Sequence, residues 1–215
     1  MPRTDVVIPA RNEAENIPQV LSVIGRYPDT GTIIVSVDPA TTDDTREVAT
    51  ECAKRFFSGV KLMVIDAKES GKGQCAEAGL CFVASNRVVF CDADIKGLTW
   101  KHLDKLFSPR LPYRNGMIIA VPEIPPNYWI SVATLNAWPW VSGQRSLPMR
   151  ALTGLNLHGY LMETQINAAV RKHRMTTDLV LCPGMISPFC MTPERLLAME
   201  SDRRWGMEHG LLSPP

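Results

Sequence analysis

Short, nearly unbroken apolar runs alternate with longer stretches in which apolar residues recur every three or four positions. The first run, Asp5–Ala10, reads as a strand buried on both faces. Asn12–Arg26 follows with Ile17, Val20, Leu21 and Ile24 at helical spacing. Thr32–Val37 is a second, β-branched strand. Thr42, Asp43 and Asp44 supply cap-type residues before a helix marked by Val48, Cys52 and Phe56. Val60–Ile65 and Arg87–Cys91 complete four strands, with a helix over Gly71–Ser85 between them (Ala76, Leu80 and Val83 inward) and another over Thr99–Phe107. This alternation predicts a mostly parallel sheet flanked by helices, an α/β single domain.

The pattern is less regular afterwards. Met117–Val121 reads as a strand, Gly143–Leu157 as mixed, Tyr160–His173 as a helix and Leu179–Cys182 as a last strand. A final helix begins at Thr192-Pro193-Glu194, with proline at its first turn. Residues 1–98 are expected to form one half of the domain and 99–215 the other.

At 215 residues with 45% hydrophobic and 21% charged content, the composition is that of an ordinary globular chain. A net charge of +1 excludes a global field of the kind that marks nucleic-acid binders. No run approaches the length of a membrane span, and Val6–Ala10 is too short for a signal-peptide core. Cys52, Cys75, Cys81, Cys91, Cys182 and Cys190 form no Cys-x-x-Cys pair, which fits reduced thiols in a cytoplasmic protein. The 17 prolines fall largely after the fifth strand and predict irregular connections there.

Open parallel sheets bind ligands beyond the carboxyl ends of their strands. Here those ends carry Pro9-Ala10-Arg11-Asn12-Glu13, then Asp38-Pro39-Ala40-Thr41-Thr42-Asp43, then Ser70-Gly71-Lys72-Gly73, then Asp92-Ala93-Asp94. Two carboxylates two residues apart at a strand end suit a hard cation such as Mn²⁺ or Mg²⁺, which takes its remaining oxygens from phosphates. Asp-x-Asp alone is a short pattern, and a solvated loop is the other reading. Gly71-Lys72-Gly73 has three readings. With Ala76 it fits a dinucleotide fingerprint, but after the third strand rather than the first. It also fits a lysine held near phosphates at a helix start, or an exposed turn.

Six segments in order carry a resemblance. They are Val6–Glu13, Asp38–Thr45, Gly71-Lys72-Gly73, Asp92-Ala93-Asp94, Ser142-Gly143-Gln144-Arg145 and Gly159-Tyr160-Leu161-Met162-Glu163. The chain resembles family 2-like nucleotide-sugar glycosyltransferases of the GT-A fold over about three quarters of its length, with some similarity to retaining glucosyl-phosphoglycerate-synthase-like enzymes. The resemblance implies a metal-dependent transfer of a hexose from a nucleoside-diphosphate sugar, UDP being the expected nucleotide, to a hydroxyl acceptor. It implies that Pro9, Ala10, Arg11 and Glu13 line the nucleoside pocket, that Asp38 contacts the base and that Lys72 lies near base or diphosphate. Asp92 is then expected to face ribose and metal, and Asp94 to bind the Mn²⁺ or Mg²⁺. Glu163, Asp94 and Arg145 are the implied catalytic set, with Arg145 as a second diphosphate clamp.

Some positions depart from the family pattern. Pro39 replaces the second Asp of an Asp-Asp pair, and Ser187 or Pro188 stands where some members place a metal-binding His, leaving water or His209 for that role. Glu163 is either a base for an inverting reaction, an orienting group for a retaining one, or a helix-surface residue. Trp129, Trp138 and Trp140 suit stacking on sugar or base, ordinary packing, or a homo-oligomer contact. Arg171–Arg174 with Arg203-Arg204 suits a basic patch or solvated helix ends. The acceptor class stays open among a small molecule, a modified DNA base, a protein and a lipid phosphate. Two other functions remain: a sugar-nucleotide nucleotidyltransferase, which the absence of a Gly-rich loop after the first strand disfavours, and a non-catalytic nucleotide-sugar-binding module, which Lys72, Asp92 and Asp94 disfavour.

Overall fold

The computed structural model describes residues 3–56, 59–107, 115–123, 140, 142–187 and 193–208. Strands β1 (Thr4–Ala10), β2 (Thr30–Val37), β3 (Lys61–Asp66) and β4 (Arg87–Phe90) alternate with helices α1 (Ile17–Ile24), α2 (Thr45–Phe56), α3 (Lys72–Leu80) and α4 (Trp100–Phe107). Then come β5 (Met117–Glu123), β6 (Arg145–Pro148), α5 (Met162–Lys172), β7 (Thr177–Ile186) and α6 (Pro193–Glu208). The sheet has seven strands in the order β3-β2-β1-β4-β6-β5-β7. Every pairing is parallel except those of β6, which is antiparallel to both β4 and β5.

The apolar runs are explained by cover on both faces. Val6, Ile8, Ile33, Val35 and Val89 pack on one side with Ile17, Val20, Leu21 and Ile24 of α1 and Leu103 and Leu106 of α4. Val7, Ile34, Val88 and Phe90 pack on the other with Ala76 of α3 and Met162, Ile166 and Val170 of α5. Alternate residues of a strand face opposite sides, so a strand between two helical layers is apolar throughout. Each such side chain contributes roughly 1.5–3 kcal/mol on burial.

Four boundaries differ from expectation. Helix α1 starts at Ile17 rather than Asn12, because Asn12 has a left-handed backbone (φ 56°) and spends its side-chain oxygen on the Thr42 N–H. Helix α3 ends at Leu80 rather than Ser85, because the Asp5 carboxylate takes the N–H groups of Ala84 and Ser85 and turns the chain into β4. The mixed stretch after Gly143 contains the antiparallel β6, inserted between β4 and β5. The last strand runs ten residues, Thr177–Ile186.

Because β1 to β4 are parallel, Ala10, Val37, Asp66 and Phe90 end on one edge of the sheet. All four expected loops therefore meet there.

Candidate active site

The loop after β2 is organised by Asp38. Its side chain is 3% exposed, and its carboxylate accepts the N–H groups of Ala40 (2.8 Å) and Gly71 (2.9 Å) and the Ser70 hydroxyl (2.8 Å). Asp38 thus ties the loop after β2 to the start of α3. Its carboxylate is buried among these loops. Neighbouring Cys75 is pushed up to about 12 by burial, with the Asp38 charge adding to the effect.

Pro9 is half-buried, Ala10 is buried, and Arg11 stands exposed at the end of β1. Glu13 is half-buried; its N–H reaches the Thr45 hydroxyl at 2.8 Å, and its carboxylate accepts from Asn16 at 2.9 Å. These four residues border the loop after β2.

Three expected residues meet directly. Lys72 Nζ lies 2.8 Å from Asp92 Oδ1 and 2.8 Å from Glu163 Oε1. Burial pulls the Lys72 ammonium down, but the two carboxylates outweigh it and its pKa is raised. Glu163 is buried in the first turn of α5 and is not a surface glutamate.

Asp92 is held on its other side as well. Gln144 Nε2 donates to Asp92 Oδ2 at 2.6 Å, and Gln144 Oε1 accepts the Asp92 N–H at 2.9 Å. Gly143 is needed because a Cβ there would stand 2.3 Å from Asp92 Oδ1. Asp94 is half-buried two residues on. The loop that follows it is joined to the end of β7 by reciprocal hydrogen bonds of 2.9 Å between Lys96 and Ile186, next to Ser187.

No group of three or more His, Cys, Asp and Glu side chains among the described residues is arranged to hold a metal. The pair Asp92 and Asp94 nevertheless fits Mn²⁺ or Mg²⁺, which binds through one or two carboxylates when phosphate oxygens and water complete the shell.

Residues 5–96 match the model of glycosyl transferase family 2. That match covers strands β1 to β4 and helices α1 to α3. The chain superposes on glucosyl-3-phosphoglycerate synthase from Mycobacterium tuberculosis in complex with Mn²⁺, UDP-glucose and phosphoglyceric acid, with a TM-score of 0.76 and 19% identity over 100% of this chain and 81% of that one. The complex of the same synthase with Mg²⁺ and UDP gives a TM-score of 0.74 at 19% identity, over 100% of this chain and 80% of that one. This likeness establishes the GT-A fold. No curated protein sequence matches the chain significantly.

Arg145 is not placed as expected. Its side chain is fully buried and its donors are spent on the carbonyls of Ser142, Trp140 and Glu163 and on Asn167 Oδ1. Burial lowers its pKa, and the charges of Glu163 and Asp92 act against that shift. Arg145 therefore ties α5 to Trp140 and Ser142, which leaves none of its donors open to a diphosphate in this conformation. The two basic clusters are also separate. His173 and Arg174 precede Thr177, which pairs with Met117 at the start of β5, so they lie on the sheet edge opposite Asp92. Arg203 and Arg204 are on α6, each near Glu200.

Trp140 is exposed, and its carbonyl accepts from Asn167 at 2.9 Å. Trp129, Trp138, Pro188, Cys190 and His209 lie outside the described residues.

Reading the sequence did not single out Gln144, His158, Asp202 or Trp205. Asp202 accepts the Tyr160 N–H at 2.7 Å and pairs with His158 Nε2 at 3.3 Å, while Trp205 stacks on His158 with ring centroids 4.0 Å apart. Gln74 of α3 holds the same segment, accepting the Gly159 N–H at 2.9 Å. Gly73 allows this approach, since a Cβ there would meet the His158 backbone at 2.6 Å. Gly73 thus serves helix packing, while Gly71 stands at the N-cap of α3 with a positive φ of 134°.

Proposed function

We propose that the chain transfers a hexosyl group from a UDP-sugar to a hydroxyl acceptor with the help of Mn²⁺ or Mg²⁺. The observation that carries this is the meeting of Lys72, Asp92 and Glu163 at the carboxyl ends of the parallel strands. The complexes of the similar synthase with Mn²⁺, UDP-glucose and phosphoglyceric acid support the donor and the cation. In this reading residues 1–98 bind the donor and 99–215 the acceptor.

Pro9, Ala10, Arg11 and Glu13 line the nucleoside pocket, and Asp38 shapes it through the loops it ties. Asp94, with Asp92, holds the cation together with donor phosphate oxygens. The cation offsets the negative charge that builds on the departing diphosphate. Lys72 donates to the same diphosphate from the helix start. The bond from the anomeric carbon to the phosphate oxygen breaks, and the bond to the acceptor oxygen forms.

The stereochemical reading is retention. Glu163 is occupied by the Lys72 ammonium, a geometry suited to orienting sugar or acceptor rather than to receiving a proton. The acceptor proton then passes to the leaving phosphate oxygen on the same face, giving the glycoside and UDP.

Among the described residues no helix is long and apolar enough to cross a membrane. The free thiols Cys52, Cys75, Cys81, Cys91 and Cys182 support a cytoplasmic setting.

A panel of nucleotide sugars, screened for Mn²⁺-dependent thermal stabilisation and slow hydrolysis, tests the reaction class. A UDP-sugar is expected to show both. Absence of either response across the panel contradicts the proposal. Analysis of the product anomer then separates retention from inversion.

A further inference from the structure

We infer that Lys72 is the resident counter-ion of the carboxylate site, and that a divalent cation settles on Asp92 only as Lys72 passes from Asp92 to the donor diphosphate. Cation and donor therefore bind as a coupled pair. The inference rests on the donor reading above and adds to it an order of events.

Asp92 is held from one side. Gln144 grips both its backbone N–H and Oδ2, and the wall at Gly143 stands against its carboxylate. The remaining approach, at Oδ1, is taken by Lys72 at 2.8 Å. Asp92 and Glu163 already share the Lys72 ammonium between them.

A bare dication entering beside Asp92 therefore meets an ammonium on the same carboxylate, where partial burial strengthens like-charge repulsion. A diphosphate removes the conflict. Its oxygens accept from Lys72 and ligate the cation at once. Lysine suits the exchange, because it is a point charge with three donors on a flexible stem. It can leave Asp92 while keeping Glu163 on the facing helix, so the same movement joins the donor to the acceptor helix. No covalent bond changes in this step.

The test uses Mn²⁺ alone and the full chain, with free Mn²⁺ followed by electron paramagnetic resonance, with and without UDP. In the unaltered protein UDP is expected to tighten Mn²⁺ binding roughly tenfold or more, within the usual range of coupling between two ligands. Lys72→Met is expected to tighten Mn²⁺ binding in the absence of UDP and to shrink the gain from UDP. Glu163→Gln leaves Asp92 as the sole anionic partner of Lys72 and is expected to weaken Mn²⁺ binding. A residue that only supports the fold moves both variants in the same direction.

Equal Mn²⁺ affinity with and without UDP overturns the inference, as does an unchanged or weaker affinity in Lys72→Met. Should Lys72→Met not fold, the UDP coupling and Glu163→Gln decide, and unchanged Mn²⁺ affinity in the latter overturns it. Asp94→Asn separates the two levels. If it binds Mn²⁺ as tightly as the parent, the cation reading of the site fails. If it loses Mn²⁺ while the Lys72 and Glu163 variants do not respond, the counter-ion role alone fails.

Discussion

Gln144 holds Asp92 at two points, accepting its backbone N–H at 2.9 Å and donating to its carboxylate at 2.6 Å. The carboxylate next to the candidate cation site is thus aimed by a buried amide from the neighbouring antiparallel strand segment, not by its own loop. Gln144→Met removes both bonds at similar volume and leaves the Asp92 N–H unpartnered, at a cost of about 1–3 kcal/mol. The expected kinetic signature is a raised Mn²⁺ requirement with a smaller change in UDP affinity. Equal loss of both indicates a purely structural role.

Gly73→Ala places a Cβ 2.6 Å from the His158 backbone, where no flexible side chain gives way. Overpacking of this kind costs about 1–3 kcal/mol. Each kcal/mol lowers the melting temperature by roughly 2–4 °C in a chain of this size. Calorimetry of the variant checks this, and an unchanged melting temperature contradicts the close packing of α3 on the 157–159 segment.

Helix α6 is fastened to the 158–160 segment by Asp202 and Trp205, which meet Tyr160 and His158. Asp202→Ala and Trp205→Ala are expected to raise hydrogen exchange at residues 158–161. Transfer to an acceptor is expected to fall more than acceptor-free donor hydrolysis. Equal loss of the two activities indicates that α6 serves the donor side as well.

Alkali is expected to destabilise the protein through its buried thiols. Burial raises Cys75 to about 12 and also raises Cys91. An unfolded thiol titrates near 8.5, so above about pH 8.5 the unfolded chain loses protons that the native chain keeps. The stability contribution is whole below that pH and declines as pH rises toward the native value. Urea unfolding between pH 7 and 10 is expected to show the decline, and Cys75→Ala to reduce it. An unchanged slope in Cys75→Ala contradicts the assignment. In the folded protein exposed Cys81 is expected to be alkylated before Cys75 and Cys91.

The regular half of the fold was legible because its strands are covered on both faces and read as apolar runs. Strand β6 was not, since Arg145-Ser-Leu-Pro carries a single large apolar residue and a buried arginine, and it takes its place from β4 and β5 rather than from its own pattern. Asn12 shows the same limit at a helix start, where a turn held by Thr42 overrides helical spacing. Lys72, Asp92 and Glu163 were each legible from short motifs, but their mutual ion pairs join positions far apart in the chain. The clamp role of Arg145 is implied by the resemblance at Ser142-Gly143-Gln144-Arg145, and a short motif does not show that its donors go to carbonyls and Asn167.

The most direct test of the central claim is donor turnover with and without Mn²⁺ in the parent and in Asp94→Asn. The account predicts Mn²⁺-dependent release of UDP from a UDP-sugar by the parent, and at least a roughly hundredfold loss in Asp94→Asn, the scale lost when one electrostatic stabiliser of a transition state is removed. UDP release that is indifferent to Mn²⁺, or undiminished in Asp94→Asn, contradicts it.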